Sequence, residues 1–196
     1  MLYSISWYDP GTITLFHWKE DIQMKTLLFD RLETPELGII LLVVDGDQLC
    51  ALDYSDYEGR MLSLLKKRYG SVELLPTPNP CGYSQRVQAY LAGDYEALDS
   101  IPVNPGGTEF QRQVWLALRS IPVGSTISYG ELAARLDRPK ASRAVGGTNA
   151  LNPIAIVLPC HRVIGANRSL TGYAGGLHRK QWLLKHENFL AHTFCQ

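Results

Sequence analysis

The sequence predicts an α/β N-terminal domain, built on a small, mainly antiparallel sheet with helices, followed by a mainly α C-terminal domain with a helix-turn-helix. Three observations predict it. Residues 26–54 hold three β-patterned runs joined by turn residues, residues 108–147 hold closely spaced helix starts, and Asn104-Pro105-Gly106-Gly107 between them has the composition of a connection. The expected division is therefore 24–103, a scaffold, and 104–196, with 1–23 set apart as an aromatic-rich N-terminal extension. That extension, which gathers Tyr3, Trp7, Tyr8, Phe16 and Trp18 around Asp9-Pro10-Gly11, reads equally as an appendage and as an arm covering a sheet edge.

Taken in order, Thr26 to Leu32, Leu37 to Val44 and Gln48 to Tyr54 are the expected strands, punctuated by Thr34-Pro35-Glu36 and Asp45-Gly46-Asp47. A helix follows over Asp56 to Tyr69. Met61, Leu62, Leu64 and Leu65 form its apolar stripe, and Lys66, Lys67 and Arg68 suit the negative end of its dipole before Gly70. Pro76, Pro78 and Pro80 make a connection, and a second helix runs from Ser84 to Ala92, stopping at Gly93. Thr108 with Gln111, and Ser128 with Glu131, have the spacing of capping boxes and start two more helices. The first of these buries Phe110, Val114, Trp115 and Leu118 and ends by Ile121; the second buries Leu132, Ala133 and Leu136. A further helix is expected from Pro139, a residue suited to the first helical position, through Val145 to Gly146-Gly147. With the turn Leu136 to Arg138 before it, this makes the helix-turn-helix. The last helix spans His178 to Phe189.

Charge divides the chain. Its net charge of zero is the sum of 8 Lys+Arg against 15 Asp+Glu in residues 1–100 and 11 against 4 in residues 101–196, so −7 meets +7. The second half can face a polyanion, or the halves can simply attract each other. The helix of Ala141, Ser142, Ala144 and Gly146 is thin enough for a groove, with Lys140 and Arg143 as its cations, which favours double-stranded DNA over a packing motif. The longest apolar run, Ile39 to Val44, is far short of the ~20 residues of a membrane span. No secretory signal is recognisable, and Cys50, Cys81, Cys160 and Cys195 lack zinc spacing, so a cytoplasmic protein without metal or cofactor is expected.

The chemistry centres on Ile156 to Val163, where Pro159-Cys160-His161-Arg162 closes an apolar run. A thiol acts as a nucleophile when it is ionised, and a neighbouring imidazole and cation promote that. A buried cysteine is as readily a small hydrophobe. With Glu187 added, the residues permit a Cys-His-Glu hydrolase; with Cys160 inert, they permit a helix-turn-helix regulator. Asn152-Pro153 before the run reads as an Asx-type turn.

Five blocks in order then carry a family resemblance: Ser128-Tyr129, Arg143-Ala144-Val145-Gly146-Gly147, Pro159-Cys160-His161-Arg162-Val163, Thr171-Gly172-Tyr173-Ala174-Gly175-Gly176, and Trp182-Leu183-Leu184 with His186-Glu187. From about Lys25 to Phe189 the chain resembles the O6-alkylguanine-DNA alkyltransferases. The resemblance implies an RNase-H-like N-terminal fold and a monomer, binding DNA cooperatively or singly. It implies that Cys160 accepts an alkyl group from O6-alkylguanine in double-stranded DNA, that His161 assists through a bridging water, and that Glu187 orients His161. It further makes Asn152 the holder of the active-site turn and Tyr129 the proton donor to the leaving guanine. Arg143 is the finger replacing the extruded base, and Ser128, Tyr129, Lys140 and Ala141 are DNA contacts. Val163, Tyr173, Ala174 and Lys180 are assigned to the base pocket, where some relatives have serine in place of Ala174. The N-terminal cysteine cluster of relatives with a zinc-binding sensor domain is not found, and the cysteine missing from alkyltransferase-like proteins is present as Cys160.

Overall fold

The computed structural model describes residues 24–189, so the expectations for the extension at 1–23 lie outside the described residues. Strands β1 (Lys25–Thr34), β2 (Gly38–Asp45) and β3 (Gln48–Tyr54) form the expected antiparallel meander. Helix α1 (Glu58–Tyr69) follows one turn of 3-10 helix at Ser55–Tyr57 and returns the chain to β4 (Val72–Pro76), which pairs parallel with β1. The sheet order is β3-β2-β1-β4. The fourth strand is absent from the sequence-based expectation, which has only the proline-rich connection there. Pro76 is compatible with an edge strand's last position, where no ladder donor is needed, and five residues are too few for periodicity to register.

β2 is apolar at every position from Ile39 to Val44 because both of its faces are covered. Leu41 and Val43 pack with Met61 and Leu65 of α1 in one cluster. Ile40, Leu42 and Val44 face the other way, into a core shared with α2 (Tyr83–Leu91) and with helices of the second half. That core is continuous. It runs from Leu32 through Val87 and Trp115 to Val145, Leu158, Cys160 and Leu183.

The expected connection at 104–107 is bound along the sheet. Val103 bridges Leu49, and Asn104 donates its backbone N–H to the Leu49 carbonyl at 2.9 Å. Gly107, at φ +78°, turns there with no room for a Cβ, which would lie 2.7 Å from the Trp115 ring. Both capping boxes form, starting α3 (Glu109–Ala117) and α4 (Tyr129–Arg135). A 3-10 turn at Leu118–Ser120 extends α3 before Ile121.

The next helix departs from expectation at both ends, for α5 spans Ser142–Ala150. Asp137, with φ +57°, ends α4 in the left-handed conformation: Arg138 N–H bonds the Ala133 carbonyl and Asp137 N–H the Ala134 carbonyl. Pro139 then fills the second position of a turn closed by Ala141 N–H to the Arg138 carbonyl, at 2.8 Å, in place of the expected first helical position. Gly146 and Gly147 continue the helix, Gly146 lying against the Tyr129 ring. The last helix, α6 (Leu177–His186), is also shorter than expected, because Asn188 at φ +59° closes it with the same left-handed motif, leaving Glu187 as its C-cap.

Candidate active site

The site begins with a backbone that the sequence does not predict. Ile156 sits at φ +68°, an outlying conformation for a β-branched residue, and Val157 N–H bonds the Ala155 carbonyl across it at 2.8 Å. Three residues on, Pro159 (φ −76°, ψ 65°) centres a second three-residue turn, with Cys160 N–H 2.7 Å from the Leu158 carbonyl. Asn152 clamps the segment as the sequence predicts: its Oδ1 accepts from Ile154 N–H at 3.0 Å and its Nδ2 donates to the Leu158 carbonyl at 2.7 Å. The outcome is a 3-10 turn, Cys160–Arg162, presented from a fully packed loop. β5 (Ile127–Ser128) and β6 (Val163–Ile164) pair in parallel directly after it, which fixes the start of α4, and so Tyr129, beside the Cys-His-Arg turn.

Cys160 is buried, and burial pushes its thiol up despite the Asn152 side chain and the Lys180 charge, which oppose the shift. The resting group is therefore a thiol, where the sequence pattern alone favours ionisation; it needs a base at the moment of reaction. His161 is the adjacent candidate. Its Nε2 lies 2.9 Å from Glu187 Oε1, and because an ionised carboxylate can only accept, Nε2 carries the proton and Nδ1 keeps a lone pair. Burial holds the imidazole below its usual value against the opposing pull of Glu187, so it is a neutral base. Nδ1 has no hydrogen-bond partner among the described residues.

Glu187 is buried and surrounded by donors. Burial alone would raise it, yet His161 and Arg162 together hold its carboxyl well below the usual range. Arg162 donates Nε to Oε2 at 2.9 Å and a second guanidinium nitrogen to Oε1 at 2.8 Å, and it anchors itself on the Ile121 carbonyl at 2.6 Å. The Tyr90 hydroxyl also donates to Oε1, at 2.6 Å. Neither Arg162 nor Tyr90 figures in the sequence-based site. Arg162 stands next to His161 in the motif, which is a usable signal; Tyr90 lies on α2 in the half read as scaffold and gives none.

Lys180 is fully buried, donating to the Val163 and Thr171 carbonyls at 2.6 and 2.7 Å, and burial brings it down to about 8. It thereby ties the strand behind Cys160 to the loop before Tyr173. Tyr173 is buried and its hydroxyl pairs with that of Tyr54, at 2.9 Å, so β3 braces this loop from behind. Gly175 has no space for a Cβ against the Tyr54 ring, and Ala174 between them is half-buried. Tyr129 donates its hydroxyl to the Thr171 and Gly172 carbonyls at 3.2 and 3.4 Å, and burial keeps the phenol protonated by raising it. Cys160, His161, Glu187, Asn152, Tyr129, Val163, Tyr173 and Lys180 are thus brought together. Lys140 and Arg143 stand apart on the exposed surface of the 140–150 segment, with Ala141 half-buried beside them and Ser128 occupied as the cap of α4.

Known proteins share this arrangement of chain. A family model described as 6-O-methylguanine DNA methyltransferase, DNA binding domain, matches residues 109–189. The methylated-DNA–protein-cysteine methyltransferase of Shigella flexneri is 46% identical over 170 residues, spanning 85% of this chain and 99% of its own, and that of Salmonella typhimurium is 48% identical over the same shares. Among solved structures, the Mycobacterium tuberculosis OGT in complex with DNA matches with a TM-score of 0.67 at 37% identity, covering 82% of this chain and 92% of its own. The O6-methylguanine-DNA methyltransferase of Pyrococcus kodakaraensis matches with 0.64 at 28% identity, covering 82% and 98%. Likeness of this extent, over 85% of this chain and 99% of its relatives, means that the chain belongs to the methylated-DNA–protein-cysteine methyltransferase family.

Proposed function

We propose that this protein repairs DNA by direct reversal, moving an alkyl group, methyl above all, from O6-alkylguanine or O4-alkylthymine in double-stranded DNA to Cys160, once and irreversibly. The observation that carries this reading is a buried thiol followed in the chain by a neutral imidazole, one of whose nitrogens is fixed by Glu187 while the other has no partner among the described residues. His161 Nδ1 takes the thiol proton through a water, the thiolate attacks the alkyl carbon, the S–C bond forms as the C–O bond breaks, and the electron pair passes into the guanine ring. Tyr129, held protonated, supplies a proton to that ring, so the base leaves neutral, and the proton on His161 replaces the one Tyr129 gave up. Asn152 holds the turn that aims Cys160, and Glu187 orients His161. The backbone of Cys160, Val163 and Ala174 reads the guanine edge, with Tyr173 and Lys180 shaping the pocket.

The target atom lies inside the duplex, so the nucleotide must be turned out of the stack. In this reading α4 and α5 are a helix-turn-helix within a DNA-binding domain of residues 104–196, entering the minor groove. Arg143 takes the vacated place, and Ser128, Tyr129, Lys140 and Ala141 meet the backbone. The exposure of Arg143 and Lys140 supports this, as does the +7 balance of that half. The protein acts as a monomer in the cytoplasm, and residues 24–103 are its scaffold domain. A thioether does not surrender its alkyl group as an ester does, so one transfer consumes the molecule. Incubation with an excess of O6-methylguanine duplex tests this: one methyl per protein is expected, and continuing release of repaired DNA would replace the reading with a turnover enzyme.

A further inference from the structure

We propose that Tyr90 is a positioning residue for the alkyl transfer, holding Glu187 in place and drawing off part of its charge so that His161 remains a neutral base; this rests on the roles of Cys160 and His161 proposed above. Tyr90 reaches Glu187 from the other half of the chain, 97 residues away, and donates to the same Oε1 that accepts from His161 and Arg162. Its own position is fixed. The Tyr90 carbonyl accepts from His186 Nε2 at 2.9 Å, and its ring stands edge-on to His186 and Tyr95, with centroids 5.3 and 6.1 Å away.

One carboxylate oxygen here shares its charge among three donors. A carboxylate facing an imidazole alone draws it toward imidazolium, which cannot accept the thiol proton. Each further donor on Oε1 takes part of that charge, so Tyr90 and Arg162 leave less of it for His161. The groups facing the couple are few: Cys160 and Arg162 on its own turn, Lys180 on α6, and Tyr90 on α2 with Tyr54 of β3 near it. Among these, Arg162 and Lys180 also oppose protonation of His161, and Glu187 alone favours it. Tyr90 keeps its proton to donate because burial, and then Glu187, push the phenol far up.

The test is the single-turnover rate of methyl transfer from a saturating O6-methylguanine duplex, measured against pH on the full chain, so that DNA affinity drops out. In Tyr90→Phe the acid limb, where His161 takes up a proton, moves to higher pH. The rate below that limb falls by about tenfold, the scale of one hydrogen bond to a charged group. Placing 3-fluorotyrosine at position 90, which keeps the ring and strengthens the donor, moves the limb the opposite way. Tyr95→Phe, whose hydroxyl bonds the His186 carbonyl and does not touch Glu187, keeps the wild-type curve. An unshifted limb in both Tyr90 variants, even with a lower plateau, overturns the inference, as does the same shift in Tyr95→Phe. A wild-type protein that transfers no methyl would sink the functional reading instead.

Discussion

Glu187 carries more of the site than its place at a helix end indicates. As the C-cap of α6 its charge opposes the dipole, and the compensation comes from Arg162, His161 and Tyr90, not from its own helix. Removing it leaves a buried guanidinium unpaired, so Glu187→Ala should destabilise the fold by about 3–5 kcal/mol in chemical denaturation. The pH dependence has a definite sign. Glu187 is held below its ordinary 4.5, so its contribution is complete above that value and fades as pH falls through and below it. His161 is held below its ordinary 6.5, so on acidification the unfolded chain takes up more protons than the folded one, which acts in the same direction. Stability should therefore fall on acidification below pH 6.5, and the further fall below pH 4.5 that comes from the carboxylate should be missing in Glu187→Gln; equal slopes below pH 4.5 in the two proteins would refute the account of this network. The sequence shows Cys160, His161 and Glu187 because motif order carries them. It is silent on Tyr90 and on Ile156 at positive φ, since a single aromatic on a scaffold helix and an isoleucine in an apolar run look like ordinary core.

At the scale of elements, what was legible is what is local. Thr108 with Gln111 and Ser128 with Glu131 place two helix starts to the residue, because a capping box closes between residues only three apart. The ends of α4 and α6 depend on Asp137 and Asn188 turning left-handed, an option their short polar side chains permit without announcing it. β4 needs β1 as a partner to exist, and no pattern in five residues reports that. α5 presents Arg143 on an exposed surface, while Val145, Thr148 and Asn149 are buried, and the Trp115 indole donates to the Thr148 carbonyl at 2.8 Å. The finger role proposed for Arg143 concerns extrusion of the base and not the chemistry of transfer. Arg143→Ala should slow repair in duplex by roughly tenfold or more, the order of the unstacking cost, while reaction with free O6-benzylguanine changes little. Equal losses on both substrates would remove the finger role.

For the whole molecule, the N-terminal half is more than a counterweight to a basic one. Its sheet supplies Tyr54 behind Tyr173, its helix α2 supplies Tyr90, and Arg60 bonds both buried Asp53 and the carbonyl of Ala150 at the end of α5. Arg179 crosses the other way, from α6 to the Leu37 carbonyl and Asp56, lying 4.2 Å over the Tyr54 ring. These ties explain why charge identifies two halves while one core cluster runs through both. The charge division itself makes a prediction: DNA affinity should fall linearly with salt on logarithmic axes, and Lys140→Ala should reduce the slope by about one phosphate contact without altering sequence preference. An unchanged slope would take Lys140 off the DNA. The central claim, that Cys160 is consumed by the reaction it performs, is tested most directly by mass. After reaction with O6-methylguanine duplex, the tryptic peptide of residues 144–162, which holds Cys160 and no other cysteine, should be heavier by one methylene, fully and permanently; that peptide unchanged beside repaired DNA would contradict it.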